Sequence, residues 1–405
     1  MKIAVTIFSS APLAGRLKLE VESLLEAGHD LTVVFAQGNR TGRSDDDRYD
    51  IVSLGFEGSK LRRVLGLGYF YRTVYTELCR VKPDAIHCAH PFLLPPAVSY
   101  KRATGAGLVY DPFEMYCLTW STYMPFARPL WQRMFEAVEN HFVSSVDAVV
   151  TIDTRASVLE KRYRKVIDAV EVLLNVTRLA TNVDPRLAAS LAGKYQDQPL
   201  VAYVGSIEAV KGMDVTIEAV ARVREAIPGV RLLLIGPLIE PQRWEATKAR
   251  FAEFVELIPT LPYDKMMAYL QLARVGLAPY QPTWQYPDSR GNSRKLFTYM
   301  QAGLPIVGPE FGELGFVVRE EGCGILVDTT SAEDIAAAIE KLLREPEWAR
   351  ELGERGRRAV IEKYNWELEQ KKLLTAYARV AASGVAGPAM RAREGAQFSA
   401  KTTSP

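Results

Sequence analysis

Cysteine is scarce in this chain of 405 residues, and so is histidine, with four of each. Cys79, Cys88, Cys117 and Cys323 stand too far apart to form a C-x-x-C pair, and the histidines show neither H-x-x-x-H nor H-E-x-x-H spacing. Those absences argue against a structural or helix-borne zinc site, and no cofactor is expected. Long apolar runs are lacking too. No stretch approaches the roughly 18 residues needed to cross a bilayer, and no basic segment, apolar core and cleavage site precede the strand-like run Ile3 to Ile7. The expected compartment is therefore the cytoplasm, where free thiols stay reduced. Charge of one sign is also missing. With 50 Lys and Arg against 48 Asp and Glu, the net charge is +2, so no overall field draws the molecule to nucleic acid. An anionic partner must be met locally.

What is present is ample apolar material, 48% of residues, in a length that suits two globular domains. In the first half, β-branched runs at Ile3 to Ile7, Leu31 to Phe35, Ala85 to Cys88, Gly107 to Tyr110 and Ala148 to Ile152 alternate with helical patterns such as Leu17 to Ala27. From Val176 to Pro199 the sequence turns polar. A second series then begins, with strands expected at Leu200 to Val204, Val230 to Ile235, Val255 to Leu257, Val275 to Ala278, Pro305 to Val307 and Gly324 to Val327. Such βα alternation predicts two α/β domains, each a doubly wound parallel sheet, with ligands gathered at the carboxyl ends of the strands in a cleft between them. The expected division is residues 1–180 together with a helix over 366–382, then 197–365, with residues 383–405 as a disordered tail rich in Ala, Gly, Ser and Thr.

Two stretches carry chemistry. The first is Tyr203-Val204-Gly205-Ser206-Ile207-Glu208-Ala209-Val210-Lys211-Gly212, a strand entering a glycine-bearing loop. A glycine there lets backbone N–H groups approach an anion, and Lys211 can neutralise a diphosphate; the alternative is an ordinary βα turn with a solvated lysine. The second runs from Asp288 to Val307. Asn292 or Ser293 caps a helix whose first turn holds Arg294 and Lys295, and Gly303 ends it before Pro305. Cations in a first turn oppose the helix dipole unless an anion sits with them or they swing into solvent.

In order and spacing these two stretches, "GSIEAVKG" and "KLFTYMQAGLPIV", resemble the family 4 retaining glycosyltransferases, whose corresponding segments read "GR....KG" and "KLFEYMAAGLPVV". The segments "RLKLEVESLLEAGHDLTVV", "KPDAIHCAHPFLLPPAVSYKRATGAGLVYDPFEMY", "VDAVVTIDT" and "VLLN" are similar to others of that family, so the likeness covers residues 1 to 380. It implies the GT-B fold, two Rossmann-like domains facing across a cleft. It also implies transfer of a sugar, with retention, from a UDP- or GDP-linked donor to an acceptor glycan or lipid-linked sugar, without a metal. Carried onto this sequence, it sets Gly15, Gly205, Ser206, Lys211, Asn292, Ser293, Arg294, Lys295 and Thr298 around the donor. The chain departs from the pattern in three respects. Ser206 stands where the family has an arginine, Arg290 and Thr298 stand where it has a pair of ribose-binding glutamates, and Phe113 stands where many members have a histidine.

Asp111 and Glu114 close the strand-end loop "YDPFEMY", where carboxylates could orient an acceptor hydroxyl or form a plain turn. Arg16 and His90 sit at comparable strand ends on the acceptor side. Residues 61–75 and 120–134 interleave Arg with aromatic residues. These stretches either pack on their own sheet or dock peripherally at the inner face of a membrane. Two other readings stay open: a catalytically impaired homologue that binds a sugar or a partner, and a GT-B sugar epimerase.

Overall fold

The computed structural model describes residues 1–10, 12–13, 15–57, 66–121, 123–124, 126–152, 158–179, 183–196, 198–242, 244–245, 251–282 and 293–382. The chain divides into two compact units, Met1–Leu174 together with the chain from Glu369 onward, and Asn175–Leu368.

The first unit is built on strands β1 (Lys2–Ile7), β2 (Asp30–Phe35), β3 (Gly42–Arg43), β4 (Asp50–Ser53), β5 (Ala85–Cys88), β6 (Gly107–Tyr110), β7 (Ala148–Thr151) and β8 (Val170–Val172). Their order across the sheet is β3-β4-β2-β1-β5-β6-β7-β8. Among the described pairs only β3 and β4 run antiparallel. Strands β1, β5, β6 and β7 are buried on both faces because helices cover both, which is why they read as mainly apolar runs rather than alternating ones, with Thr6, His87 and Thr151 as buried polar exceptions. The sequence did not suggest β3, β4 or β8. Each has two to four residues, and β4 buries only Ile51 and Val52, too little pattern to stand out.

The second unit holds β9 (Leu200–Val204), β10 (Arg231–Ile235), β11 (Val255–Ile258), β12 (Val275–Leu277), β13 (Ile306–Pro309) and β14 (Gly324–Val327). They are all parallel, in the order β11-β10-β9-β12-β13-β14. This is the doubly wound order in which the direction of winding reverses between β9 and β12, and the crevice at that reversal is where such sheets take ligands. The stretch expected as a polar linker contains a helix, Pro185–Tyr195. Asp184 caps it by accepting from the Arg186 N–H at 2.9 Å, and Pro185 opens it. Amphipathic helices cover the sheet. In Ala332–Arg344, for example, Ile335, Ile339 and Leu342 are buried, each contributing about 1.5–3 kcal/mol, and Ser331 accepts from the Asp334 N–H.

The boundary between the units falls inside the last described helix, Trp366–Ala382. Its part from Glu369 onward is fastened to the first unit. Glu369 accepts from the Leu174 N–H at 2.9 Å, Lys372 donates to the Val172 carbonyl at 3.2 Å, and Arg379 pairs with Glu171 at 2.7 Å. The tail at 383–405 lies outside the described residues.

Candidate functional site

In the second unit the chemistry gathers where β9 and β12 end. β9 runs into Gly205, whose φ of 128° lies in the region that favours glycine, and onward through a 3-10 turn at Ala209–Lys211 to Gly212. Gly212 has φ 78°, and a Cβ there would stand 2.1 Å from the Pro279 carbonyl oxygen, so this loop can lie against the segment after β12 only because the residue is glycine.

Beyond β12 the chain enters helix Arg294–Ala302, with Ser293 in extended conformation before it and Gly303, at φ 73°, closing it. Lys295, in the first turn, reaches back across the β9 loop. Its Nζ lies 3.8 Å from the centre of the Tyr203 ring and 4.7 Å from that of Tyr280, and a Cβ added at Gly205 would be 3.4 Å from it. The residue is 8% exposed and its ammonium makes no hydrogen bond. Burial pushes its pKa well below the usual lysine value, repulsion from Lys211 adds to the effect, and Glu208 opposes both. The aromatic faces offset part of the cost of burying a cation, yet among the described residues no carboxylate pairs with it. The helix start adds further positive potential. Such an arrangement can receive an anionic group.

Lys211 is by contrast engaged. Its Nζ lies 2.7 Å from Glu208 Oε1 and donates to the Ser206 hydroxyl, which in turn donates to Glu208 Oε1 at 2.7 Å. Burial tends to raise the Glu208 pKa, but the bonds from Lys211 and Ser206 hold it below the usual range. Arg294 is half-buried, and burial lowers its pKa. The Thr298 hydroxyl donates to the Arg294 carbonyl of its own helix at 3.0 Å, and Ser293 shares a hydrogen bond of 2.8 Å with Tyr280. Asn292 and Arg290 lie outside the described residues.

The first unit holds a second group of charges, fully enclosed. Arg16 was expected in a strand-end loop; it lies in the first turn of helix Gly15–Glu26, 4% exposed. It donates to the Asp111 carboxylate and, at 3.1 Å, to the Leu173 carbonyl, and it pairs with Glu20 at 2.8 Å. His87 Nε2 lies 3.2 Å from Asp111 and 3.3 Å from Glu20, and its Nδ1 lies 2.9 Å from the Tyr377 hydroxyl. Burial works against a charged His87, but bonds to Asp111 and Glu20 prevail and raise its pKa to about 9. At neutral pH both ring nitrogens then carry protons, so Nδ1–H donates to Tyr377. Three ligand atoms of Glu20, His87 and Asp111 lie within 4.8 Å of one another, and the Arg16 guanidinium already supplies the cation beside them.

Asp111, expected to face an acceptor, is thus wholly buried and committed to Arg16 and His87. Glu114 is exposed in the same loop. Partial shielding of its carboxyl from water by the surrounding loop nevertheless raises its pKa, opposed by the Thr119 hydroxyl donating at 3.3 Å. His90 caps the short turn Pro91–Leu93, accepting from the Phe92 N–H at 3.3 Å, and packs among Phe8, Phe92, Tyr116 and Trp120. Burial lowers its pKa to about 3, leaving it neutral. Phe113 lies beneath the Arg16 guanidinium, 5.0 Å from it. Gly15 opens the first helix with φ 67°. Sequence reasoning missed Glu20, His87, Tyr377 and Glu208. The i,i+4 spacing of Arg16 and Glu20 and the histidine inside a buried strand were signals for the first two. A cavity of about 430 Å³ in the second unit, lined in part by Pro199, Arg274, Pro305 and Arg350, opens at the opposite, amino-terminal edge of the sheet and holds none of these groups.

A family model described as glycosyl transferase 4-like domain matches residues 16–166, and one described as glycosyl transferases group 1 matches residues 198–345. The chain belongs to the group 1 glycosyltransferases. Within that family, a D-inositol 3-phosphate glycosyltransferase of Segniliparus rotundus is 30% identical over 218 residues, 52% of this chain and 46% of that protein. The chain spans about half the length of the curated relatives it matches. Among solved structures, sucrose-phosphate synthase from Thermosynechococcus elongatus superposes with a TM-score of 0.73 at 20% identity, covering 94% of this chain and 99% of that one. The Anabaena protein HepE in complex with UDP gives a TM-score of 0.70 at 13% identity, covering 93% and 100%. At such identities the likeness shows the fold alone, which is of the GT-B type.

Proposed function

We propose that the protein is a glycosyltransferase that moves a sugar from a UDP- or GDP-linked donor to an acceptor hydroxyl, with retention, in the synthesis of a glycoconjugate or polysaccharide. The observation that carries this reading is the buried ammonium of Lys295, without a hydrogen-bond partner at a helix start beside Gly205. A diphosphate leaving group develops negative charge as the glycosidic bond breaks, and a cation already stripped of water stabilises that charge without reorganising. Lys295 and the start of its helix, with Lys211 after exchange of its present partner, would hold the diphosphate. Gly205 would let it approach the backbone, and Ser206, Asn292, Ser293, Arg294 and Thr298 would surround it. Neutralisation by these groups makes a metal unnecessary, so chelator should leave turnover unchanged. Asp111 acts through Arg16 and His87, while the exposed Glu114 is the carboxylate that can meet an acceptor.

The test is calorimetric titration with UDP and GDP, followed by donor hydrolysis assays on UDP- and GDP-sugars. No heat with either nucleotide sinks the reading. Binding without turnover on any donor supports the alternative of a sugar-binding homologue, for which the replacements Ser206, Phe113 and Thr298 speak.

A peripheral contact with the inner face of a membrane accompanies this reading. Helix Arg128–Val143 turns its two acids inward. Glu136 pairs with Arg162 at 3.2 Å, and Glu139 accepts from Tyr110, Tyr163 and Arg162. Its outward side carries Leu130, Arg133, Met134 and Val138, continued by the exposed Tyr123 and Phe126, an apolar and cationic face suited to anionic lipid. Among the described residues no helix is long and apolar enough to cross a membrane. Residues 61–65 of the other basic and aromatic stretch lie outside the described residues; Tyr69 beyond them is exposed.

A further inference from the structure

The turn that carries Lys211 has its cation, and one of its backbone donors, already occupied by carboxylates of the chain itself. Glu208 lies three residues before Lys211, so the 3-10 turn sets the two side chains on one side, at 2.7 Å. Ser206 bridges them, accepting from Lys211 and donating to Glu208. In the same turn the Ala209 N–H donates to Glu240 Oε2 at 2.8 Å. Beside this neutralised turn stands Lys295, buried and without an anion, while Glu208 pulls on it from a distance.

We infer that Glu208 is a built-in counter-ion of the diphosphate site, a carboxylate that holds Lys211 in the unliganded protein and must release it to an arriving phosphate. The inference rests on the reading of Gly205, Lys211 and Lys295 as a diphosphate site. Its energetic consequence is an exchange. A ligand phosphate gains Lys211 only by breaking the Lys211–Glu208 pair, and it then lies near the displaced carboxylate, a like charge. Only the contact with Lys295 is gained without such an exchange. A ligand with a single phosphate satisfies Lys295 and leaves the Glu208 pair intact, whereas a second phosphate can compete for Lys211. Glu208 thereby sets both the affinity of the site and the margin by which it prefers diphosphates to monophosphates. Ser206 supports this role because its hydroxyl gives Glu208 a neutral donor in place of the arginine charge of the family pattern.

The experiment is calorimetric titration of the full chain and of Glu208→Gln and Glu208→Ala with UDP, UMP and inorganic pyrophosphate, each variant first checked by thermal melting. Both variants should bind UDP and pyrophosphate more tightly than the native chain, by about five- to tenfold, the scale of one partly exposed ion pair plus one like-charge contact. UMP should change by less than twofold. A residue that merely shaped the turn would weaken binding when replaced, and weaker or unchanged UDP binding in two folded variants overturns the inference while leaving the diphosphate site standing. Absence of binding throughout overturns the diphosphate reading, and the inference with it.

Discussion

Each unit buries a cation at a helix start, and the two are treated in opposite ways. Arg16 is surrounded by Asp111, Glu20 and the Leu173 carbonyl, so its charge is answered within the protein. Lys295 has two aromatic faces and no hydrogen bond. A buried charge that is paired is a structural element, and removing its partner is more harmful than removing the pair. A buried charge left unpaired is tolerated only where something else benefits from it, and that contrast separates a framework site from a binding site.

The comparison can be broken in four ways. The largest effect should come from Arg16→Met, which leaves Asp111 and Glu20 buried without a cation. A loss of about 3–5 kcal/mol of stability, read by urea denaturation, is expected, and a loss below ~1 kcal/mol would deny the network its framework role. Next is Lys295→Met. Affinity for UDP or GDP should fall by about a hundredfold, while the melting temperature stays level or rises, because an unpaired buried charge has been replaced by an apolar side chain of similar length. A fall in both would make Lys295 structural.

The third test is pH. His87 has a folded pKa near 9, above its ordinary value, so its contribution is complete below about 6.5 and is lost as pH rises through 9. Lys295 is depressed, so the unfolded chain binds the extra proton and stability from this residue grows as pH rises toward the ordinary lysine value. In melting curves between pH 6.5 and 9, Lys295→Met should therefore lose stability with pH more steeply than the native protein. The smallest effect concerns the outward face of Arg128–Val143. Leu130→Ser with Met134→Ser should reduce sedimentation with phosphatidylglycerol vesicles several-fold and leave melting within about 0.5 kcal/mol, since both side chains face solvent.

The sheet strands were legible because four- and five-residue runs such as Gly107–Tyr110 and Leu200–Val204 are almost wholly buried and so carry a nearly unbroken apolar signal. Strand β3, with two exposed residues, carries none. Helix Pro185–Tyr195 was announced by Asp184 and Pro185 but masked by its small and polar composition. At the site, the likeness to a family pointed to Gly205, Lys211 and Lys295, yet no motif could tell that Lys211 is held and Lys295 is not. That difference depends on Glu208, whose relation to Lys211 becomes an i,i+3 pair only once the turn is known to be helical. Likewise Glu20, His87, Asp111 and Tyr377 are scattered along the chain, His87 and Tyr377 alone standing 290 positions apart, and packing alone brings them together.

That last separation bears on how the molecule is made. The sheet of the first unit is complete by Val172, but the hydroxyl that meets His87 arrives with Tyr377, after the whole of the second unit has been synthesised. A nascent first unit on the ribosome therefore lacks the hydroxyl that His87 meets and leaves open an apolar surface that Leu373, Ala376 and Val380 will later cover. Its final consolidation is a late, long-range event, so chains released before residue 377 should be the ones that chaperones retain and proteases remove.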